Sequence, residues 1–247
     1  MELRPDKQYK QIGFNQILRL HWLEYTASLM LEGKTPEEMR GILQNTFQGG
    51  VPIRSMLMKI WVCPPHELKP LHQEGLALLA DLPREDRLLL HWGMTMAAYP
   101  FFRAVATHVG RHIRLYGMVS SPTVVRRIIE EYGERPTVKN AVRCVLRTMT
   151  DWGVLQDAVV VGYRRPSGIY AAGPALSVDK PEIFAWLTEA YLYAHNANSV
   201  CLDTILNAPS LFPLEIDPAV RCYLNHTSER LEVQRLGGGQ QEVVWLR

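Results

Sequence analysis

The chain has 247 residues, of which 47% are hydrophobic and 21% are charged, and its formal net charge is +2. These values are typical of a soluble globular protein with an ample core, and the small net charge favours no class of partner. The N-terminus has no signal-peptide pattern, and no apolar run is long enough to span a bilayer. Because the four cysteines are widely spaced, we expect a cytoplasmic protein with reduced thiols and no membrane contact.

Residues 1–104 are predicted to form a helical N-terminal domain, because their apolar residues recur at helical spacing. The triplet Gly33-Lys34-Thr35 resembles the end of a phosphate-binding loop, but that loop needs a glycine where Ser28 stands. We therefore interpret Thr35 and Glu38 as a capping box at the start of a helix. The predicted helices cover about 10–32, 53–62, 66–80, 84–98 and 100–116.

The middle third of the chain is basic. Between Arg111 and Arg165 there are ten Lys or Arg and five Asp or Glu, a local net charge of +5, so the remaining residues sum to −3. Such asymmetry points weakly to a site for a polyanion. The sequence here predicts a helix from Ser121 to Tyr132, a short turn, a second helix capped by Thr137 and reaching Trp152, and then a hairpin. The hairpin strands are predicted at 159–163 and 169–172, around a turn at 164–168.

The segments "SSPTVVRRIIEEYGERPTVKNAVRCVLRTMTDWGVL" and "GYRRPSGIYAAG" resemble the winged helix-turn-helix superfamily over roughly residues 105–176. The helix that ends at Tyr116 would be the first helix of that domain. Beyond it, residues 177–247 predict a capped helix from Asp179 to about Ala194 and a terminal hairpin around three glycines. The predicted fold class is therefore mainly α: a helical N-terminal domain (1–104), a central winged helix-turn-helix with a β-hairpin wing (105–176), and a small α+β C-terminal region (177–247).

The helix after Thr137 has two distinct faces when successive residues are placed about 100° apart. One face is an apolar stripe, and the other carries a row of cations at i,i+4 spacing that no acidic residue interrupts before Asp151. Like charges in such a row repel each other, and an external anion relieves the repulsion. Arg pairs with guanine and Asn with adenine in the major groove, whereas other cations hold the backbone. The predicted DNA-binding residues are Arg126, Arg127, Thr137, Lys139, Asn140, Arg143, Arg147, Arg164 and Arg165.

These residues predict a protein that binds duplex DNA, specifically or non-specifically, as a regulator or as an accessory subunit. The alternative is a protein–protein adaptor in a multisubunit complex, with the winged helix as its docking face, since fold does not fix function. The strings "LLLHWGMTMAAYPFF" and "GERPTVKNAVRCVLRTMTDWGVL" also resemble, more weakly, uncharacterised bacterial proteins associated with phage-defence loci. That resemblance implies an accessory role in antiviral defence and gives no residue a function. Other protein subunits or a second copy are expected as further partners.

An enzyme is not predicted, because no catalytic constellation or glycine-rich cofactor motif is present. Cys63 and His66 form half of a zinc motif, but no second half follows nearby, so neither a metal nor another cofactor is expected. Paired histidines at His108 and His112 lack the glutamate of a metalloprotease pattern. No small-molecule pocket can be recognised in the sequence.

Overall fold

Helices dominate the fold, which confirms the predicted mainly α class at this coarse level. We describe the protein from a computed structural model, which covers residues 10–47, 50–158, 168–236 and 241–247. None of the helices in these ranges combines the length and the hydropathy that a membrane crossing requires.

The N-terminal region is helical, as predicted, but its first helix starts later than predicted. The helix predicted from residue 10 begins only at Leu20, and the irregular backbone of 10–19 bonds to distant residues instead. Thr35 and Glu38 form the predicted capping box. The fifth helix starts at Leu88 rather than 84, after a turn that follows Pro83. The helices are α1 (Leu20–Leu31), α2 (Pro36–Thr46), α3 (Val51–Trp61), α4 (Lys69–Asp81), α5 (Leu88–Ala98) and α6 (Pro100–Tyr116), with a 3₁₀ turn at His66–Leu68.

The central region alternates short strands with two helices. Its elements are β1 (Met118–Ser120), α7 (Ser121–Tyr132), α8 (Pro136–Asp151), β2 (Leu155–Asp157) and β3 (Ile169–Ala172). β3 lies between β1 and β2 and is antiparallel to both, so the three strands form one small sheet. The prediction that Thr137 caps α8 is wrong: the cap position is Arg135, because Pro136, with a fixed φ and no N–H, suits the first helical position. The predicted strand at 159–163 lies outside the described residues.

The C-terminal region is a mixture of helices and strands. Its elements are β4 (Leu176–Val178), α9 (Pro181–His195), β5 (Ser199–Cys201), α10 (Leu202–Leu206), β6 (Leu214–Ile216), α11 (Leu224–Thr227), β7 (Leu231–Leu236) and β8 (Gln241–Leu246), with 3₁₀ turns at Pro209–Leu211 and Pro218–Tyr223. β4 and β6 are parallel, and β8 pairs antiparallel with both β5 and β7. The predicted terminal hairpin is therefore confirmed. Lys180, not the expected Asp179, occupies the cap position of α9.

One hydrophobic core includes residues from all three predicted regions. Every residue of α5 is buried, and α5 packs against α9, most of which is also buried. Trp92 on α5 contacts Phe102 on α6 and Trp152 just beyond α8, with ring centroids 5.0 and 6.2 Å apart. The proposed domain boundaries remain a prediction, and the central helices sit on the same core as the N- and C-terminal ones.

Candidate nucleic-acid interface

α8 has one buried face and one exposed face, as its periodicity predicts. The apolar stripe is at most 1% exposed and consists of Val138, Val142, Val145, Leu146 and Met149. It packs toward α6, α7 and β2. Thr137, Asn140, Arg143 and Arg147 are exposed on the remaining surface, and Lys139 is half-buried beside them. The helix therefore presents a polar, cationic face to solvent while the opposite face anchors it.

The turn between α7 and α8 is set by its sequence. Gly133 has a φ of +85°, a conformation that side chains with a Cβ rarely adopt, and it ends α7. Pro136 then starts α8 two residues after Glu134. This short connection fixes the second helix against the first and leaves its N-terminal half at the surface.

Ion pairs on this surface divide the predicted cations into two groups. Arg127 pairs with Glu130 at 3.1 Å, and Lys139 pairs with Glu134 at 3.0 Å. In contrast, within the described ranges the structure gives Arg126, Arg143 and Arg147 no ion pair, and all three are exposed. Their guanidinium groups are therefore available to an external anion.

The acidic residues on the approach to α8 are compensated by cations of their own. Besides the two glutamates already paired, Glu131 lies 3.8 Å from Nε2 of His108 and 2.9 Å from Nζ of Lys10. The contacts with His108 and Lys10 lower the pKa of Glu131 to about 2, despite its partial burial. Neutralisation of these carboxylates reduces the repulsion that a phosphate would otherwise meet here.

The N-terminal segment, residues 10–19, runs beside α8. The backbone N–H of Leu18 donates to Oγ1 of Thr148 at 2.9 Å, and the indole of Trp152 donates to the carbonyl of Leu18 at 2.8 Å. Nearer the start of α8, the thiol of Cys144 contacts the carbonyl of Asn15 at 3.5 Å. The segment therefore covers the flank of α8 next to Asn140, and it leaves the row of Lys139, Arg143 and Arg147 uncovered.

Asn15 of this segment is exposed, and its carbonyl lies 3.5 Å from the thiol of Cys144 on α8. Asparagine is a residue type that hydrogen-bonds to nucleic acid. The sequence does not indicate this placement, because Asn15 lies more than 120 positions before α8. No local pattern in residues 10–19 indicates this placement.

A cleft of about 560 Å³ lies at the C-terminal end of the same face. It is bordered by Arg147 of α8, Arg19 of the N-terminal segment, Asp157 of β2 and Tyr170 of β3. Arg19 forms an ion pair with Asp151 at 3.2 Å. Among the described residues of this cleft, Arg147 is the cation without an ion pair. Burial raises the pKa of Tyr170, so its hydroxyl stays a hydrogen-bond donor at neutral pH.

Two of the predicted DNA-binding residues, Arg164 and Arg165, lie outside the described residues. Elsewhere, the described residues contain no group of three or more His, Cys, Asp or Glu side chains arranged for a metal ion. His72, near the half-motif of Cys63 and His66, bonds to the carbonyl of Trp61 at 3.0 Å. Comparisons with protein-family models, with curated proteins and with solved structures find no match.

Proposed function

We propose that this protein binds duplex DNA through a winged helix-turn-helix. In this proposal α6 is the first helix, α7 the second and α8 the recognition helix, and β2 and β3 are the wing strands. The order of helix, short turn, helix and antiparallel strands supports the assignment, as does the seating of α8 on α6 and α7. The whole protein would act in the cytoplasm as a regulator or as a DNA-binding accessory subunit, with phage defence as one setting.

The observation that carries the proposal is the pair Arg143 and Arg147. Both are exposed, lie one helical turn apart, and have no ion pair among the described residues. Ordinary solvated helix surfaces gain a few tenths of a kcal/mol from opposite charges at this spacing. Arg143 has Lys139 and Arg147 as its neighbours at four residues, and Asp151, four residues after Arg147, is paired with Arg19 instead. A polyanion supplies the missing counter-charge.

The residues along α8 are assigned different contacts with the DNA according to their position in the helix. In helix-turn-helix proteins the N-terminal half of the recognition helix contacts base edges. Thr137, Lys139, Asn140 and Arg143 lie in that half, so we assign base contacts to Asn140 and Arg143 and a supporting role to the other two. Arg147, beside the cleft at the far end, is assigned to a phosphate.

Residues on the neighbouring elements would hold the DNA backbone. Arg126 of α7 is exposed without an ion pair in the described ranges, and Arg127 would exchange Glu130 for a phosphate. Arg164 and Arg165 are proposed to contact the adjacent backbone or minor groove from the wing. Each phosphate neutralised adds affinity that falls with salt.

The test is fluorescence anisotropy with a labelled duplex at one low salt concentration. The Arg143→Ala/Arg147→Ala variant should bind at least about tenfold more weakly than wild type, because a base contact and a phosphate contact are lost. Arg40→Ala/Arg221→Ala is the matched control, since it removes two exposed arginines outside the central region and should bind like wild type. Equal losses in the two variants would contradict the assignment of α8.

A second candidate function is supported by an exposed apolar group at the end of α6. Leu115, Tyr116 and Met118 are 71%, 69% and 48% exposed, which is unusual for large apolar side chains so close in sequence. An adaptor that docks through this end of the central region would use them. Salt-insensitive capture of a protein partner, lost in Leu115→Ser/Tyr116→Ser and retained in Arg143→Ala/Arg147→Ala, would favour this function over DNA binding.

A further inference from the structure

A cavity of about 740 Å³ lies among α1, the end of α2 and the turn that precedes α5. Its volume is in the range of small-molecule sites, which combine apolar walls with a few polar groups. Aromatic residues His21, Trp22, Tyr25 and Phe47 form much of its lining. The charged groups in the lining are Glu24, Arg84 and Arg87. This cavity is separate from the face of α8 described above.

The aromatic wall of the cavity is held together by its own ring contacts. Phe47 is buried and contacts Trp22 at 5.4 Å and Tyr25 at 6.0 Å between ring centroids, the latter edge-to-face. Trp22 remains half-buried and Tyr25 is 39% exposed, so both keep surface on the cavity. Such rings, fixed in place before a ligand arrives, are suited to stacking against a flat ring system.

A buried hydrogen-bond chain fixes the carboxylate of Glu24. The indole N–H of Trp61 donates to Nδ1 of His91 at 2.9 Å, and Nε2 of His91 lies 2.9 Å from Oε1 of Glu24. An indole nitrogen only donates, so Nδ1 of His91 is an acceptor. Nε2 therefore carries the proton and donates a hydrogen bond to Glu24. Burial lowers the pKa of His91, which keeps the imidazole neutral at physiological pH.

Glu24 is therefore an ionised hydrogen-bond acceptor at the edge of the cavity. Burial alone would raise its pKa, but the bond from His91 and the charges of Arg87 and Arg84 hold that pKa below its ordinary value. A carboxylate has about four acceptor positions, of which His91 occupies one. Glu24 can accept further N–H groups from a ligand.

The charges that line the cavity favour an anion. Arg87 lies 3.6 Å from Glu24 and is also tied to the carbonyl of Leu82 at 3.2 Å. Arg84 is exposed and has no ion pair among the described residues, so two guanidinium groups face one carboxylate. Glu85 lines only the adjoining cleft. The local excess is one positive charge, carried by Arg84.

We propose that this cavity binds a purine nucleotide. The base stacks on Trp22 and Tyr25, an N–H of the base donates to Glu24, and the phosphate pairs with Arg84. A flat ring system, an N–H donor and an anion are the three features that the lining recognises together. This inference does not rest on DNA binding by α8.

The test is isothermal titration calorimetry of the full chain with AMP, GMP, ATP and GTP as separate probes. At least one should bind wild type with a dissociation constant below about 1 mM. Arg84→Ala should weaken that binding about tenfold through loss of a charge-assisted contact, and Tyr25→Ala by a similar factor through loss of stacking. Arg111→Ala, which removes an exposed arginine on α6, should leave it unchanged.

Three results would overturn the proposal. They are absence of binding by all four nucleotides at millimolar concentration, equal affinity of wild type and Arg84→Ala, and binding of inorganic pyrophosphate as tight as that of the nucleotides. Since Arg84 is exposed, thermal unfolding of Arg84→Ala should match wild type. A loss of binding in a variant with an unchanged melting temperature then reports the site itself.

Discussion

Replacing Gly110 by alanine should destabilise the protein strongly, because α6 meets the 3₁₀ turn Pro209–Leu211 at this residue without space for a side chain. A Cβ at Gly110 would lie 1.9 Å from the carbonyl oxygen of Pro209 and 2.8 Å from Cβ of Phe212. Non-bonded heavy atoms prefer separations of about 3.5 Å, so the two backbones would have to separate by more than about 1 Å. The carbonyl group of Pro209 belongs to the backbone, so it cannot move aside by changing a side-chain rotamer. The indole of Trp92 donates to the carbonyl of Ser210 at 3.2 Å, so the shift also disturbs this bond.

We expect Gly110→Ala to lower the free energy of unfolding by about 3 kcal/mol, the upper part of the usual range for overpacking. For a chain of this length, each kcal/mol changes the melting temperature by about 2–4 °C, so the decrease should be about 6–12 °C. Urea denaturation and thermal unfolding, both followed by circular dichroism, measure the two quantities.

Gly41→Ala is the matched control for this substitution. Gly41 lies inside α2, and a Cβ there would meet nothing within 4 Å. Alanine is favoured over glycine in a helix by about 1 kcal/mol, so this variant should melt higher than wild type. If Gly110→Ala melts at or above the wild-type temperature, the packing of α6 on the C-terminal region is wrong as described.

Three further substitutions test polar contacts, each by urea denaturation. Thr148→Val removes the acceptor of the Leu18 N–H and should cost about 1–3 kcal/mol, because that buried donor loses its partner. His91→Leu removes a hydrogen-bond donor of the buried Glu24 and should cost about 1–3 kcal/mol. Glu131→Gln should destabilise at pH 7, and the difference from wild type should shrink as the pH falls. The pKa of Glu131 is lowered from 4.5 to about 2, so its stabilisation is present above pH 4.5 and lost toward pH 2.

Each of these variants has a matched control on an exposed residue. Thr137→Val, His66→Leu and Glu85→Gln make the same chemical changes where no comparable buried contact exists among the described residues. A variant at one of the three contacts that is no less stable than its control contradicts the contact assigned to it. For Glu131, a difference from wild type that stays constant between pH 7 and pH 3 contradicts the lowered pKa.

The sequence predicts those parts of the fold that depend on neighbours within one element. The stripe from Val138 to Met149 follows from helical periodicity alone, and all of its members are buried. The capping box of Thr35 and Glu38 is another local pattern, and it is confirmed. Where two local preferences compete, the prediction is less accurate: Pro136 rather than Thr137 sets the start of α8, by a difference of two positions.

Contacts between distant segments were not predictable from these patterns. The segment at 10–19 carries enough apolar residues to suggest a helix, yet its backbone bonds to Thr148 and its neighbours, about 130 positions away. The cavity beside Glu24 is likewise assembled from α1, α2 and the turn before α5, so no single stretch of sequence indicates it. The cationic row on α8 is therefore predictable from the sequence, whereas the flanking segment and the cavity are not.

The central claim is that α8 binds duplex DNA, and the salt dependence of affinity tests it most directly. Wild type should show a steep negative slope of log K against log salt concentration. In Arg143→Ala/Arg147→Ala the slope should be shallower by about one unit for each arginine that neutralises a phosphate. In Arg40→Ala/Arg221→Ala the slope should equal that of wild type. A wild type that does not bind at low salt, or a double variant of α8 with the wild-type slope, would contradict the account.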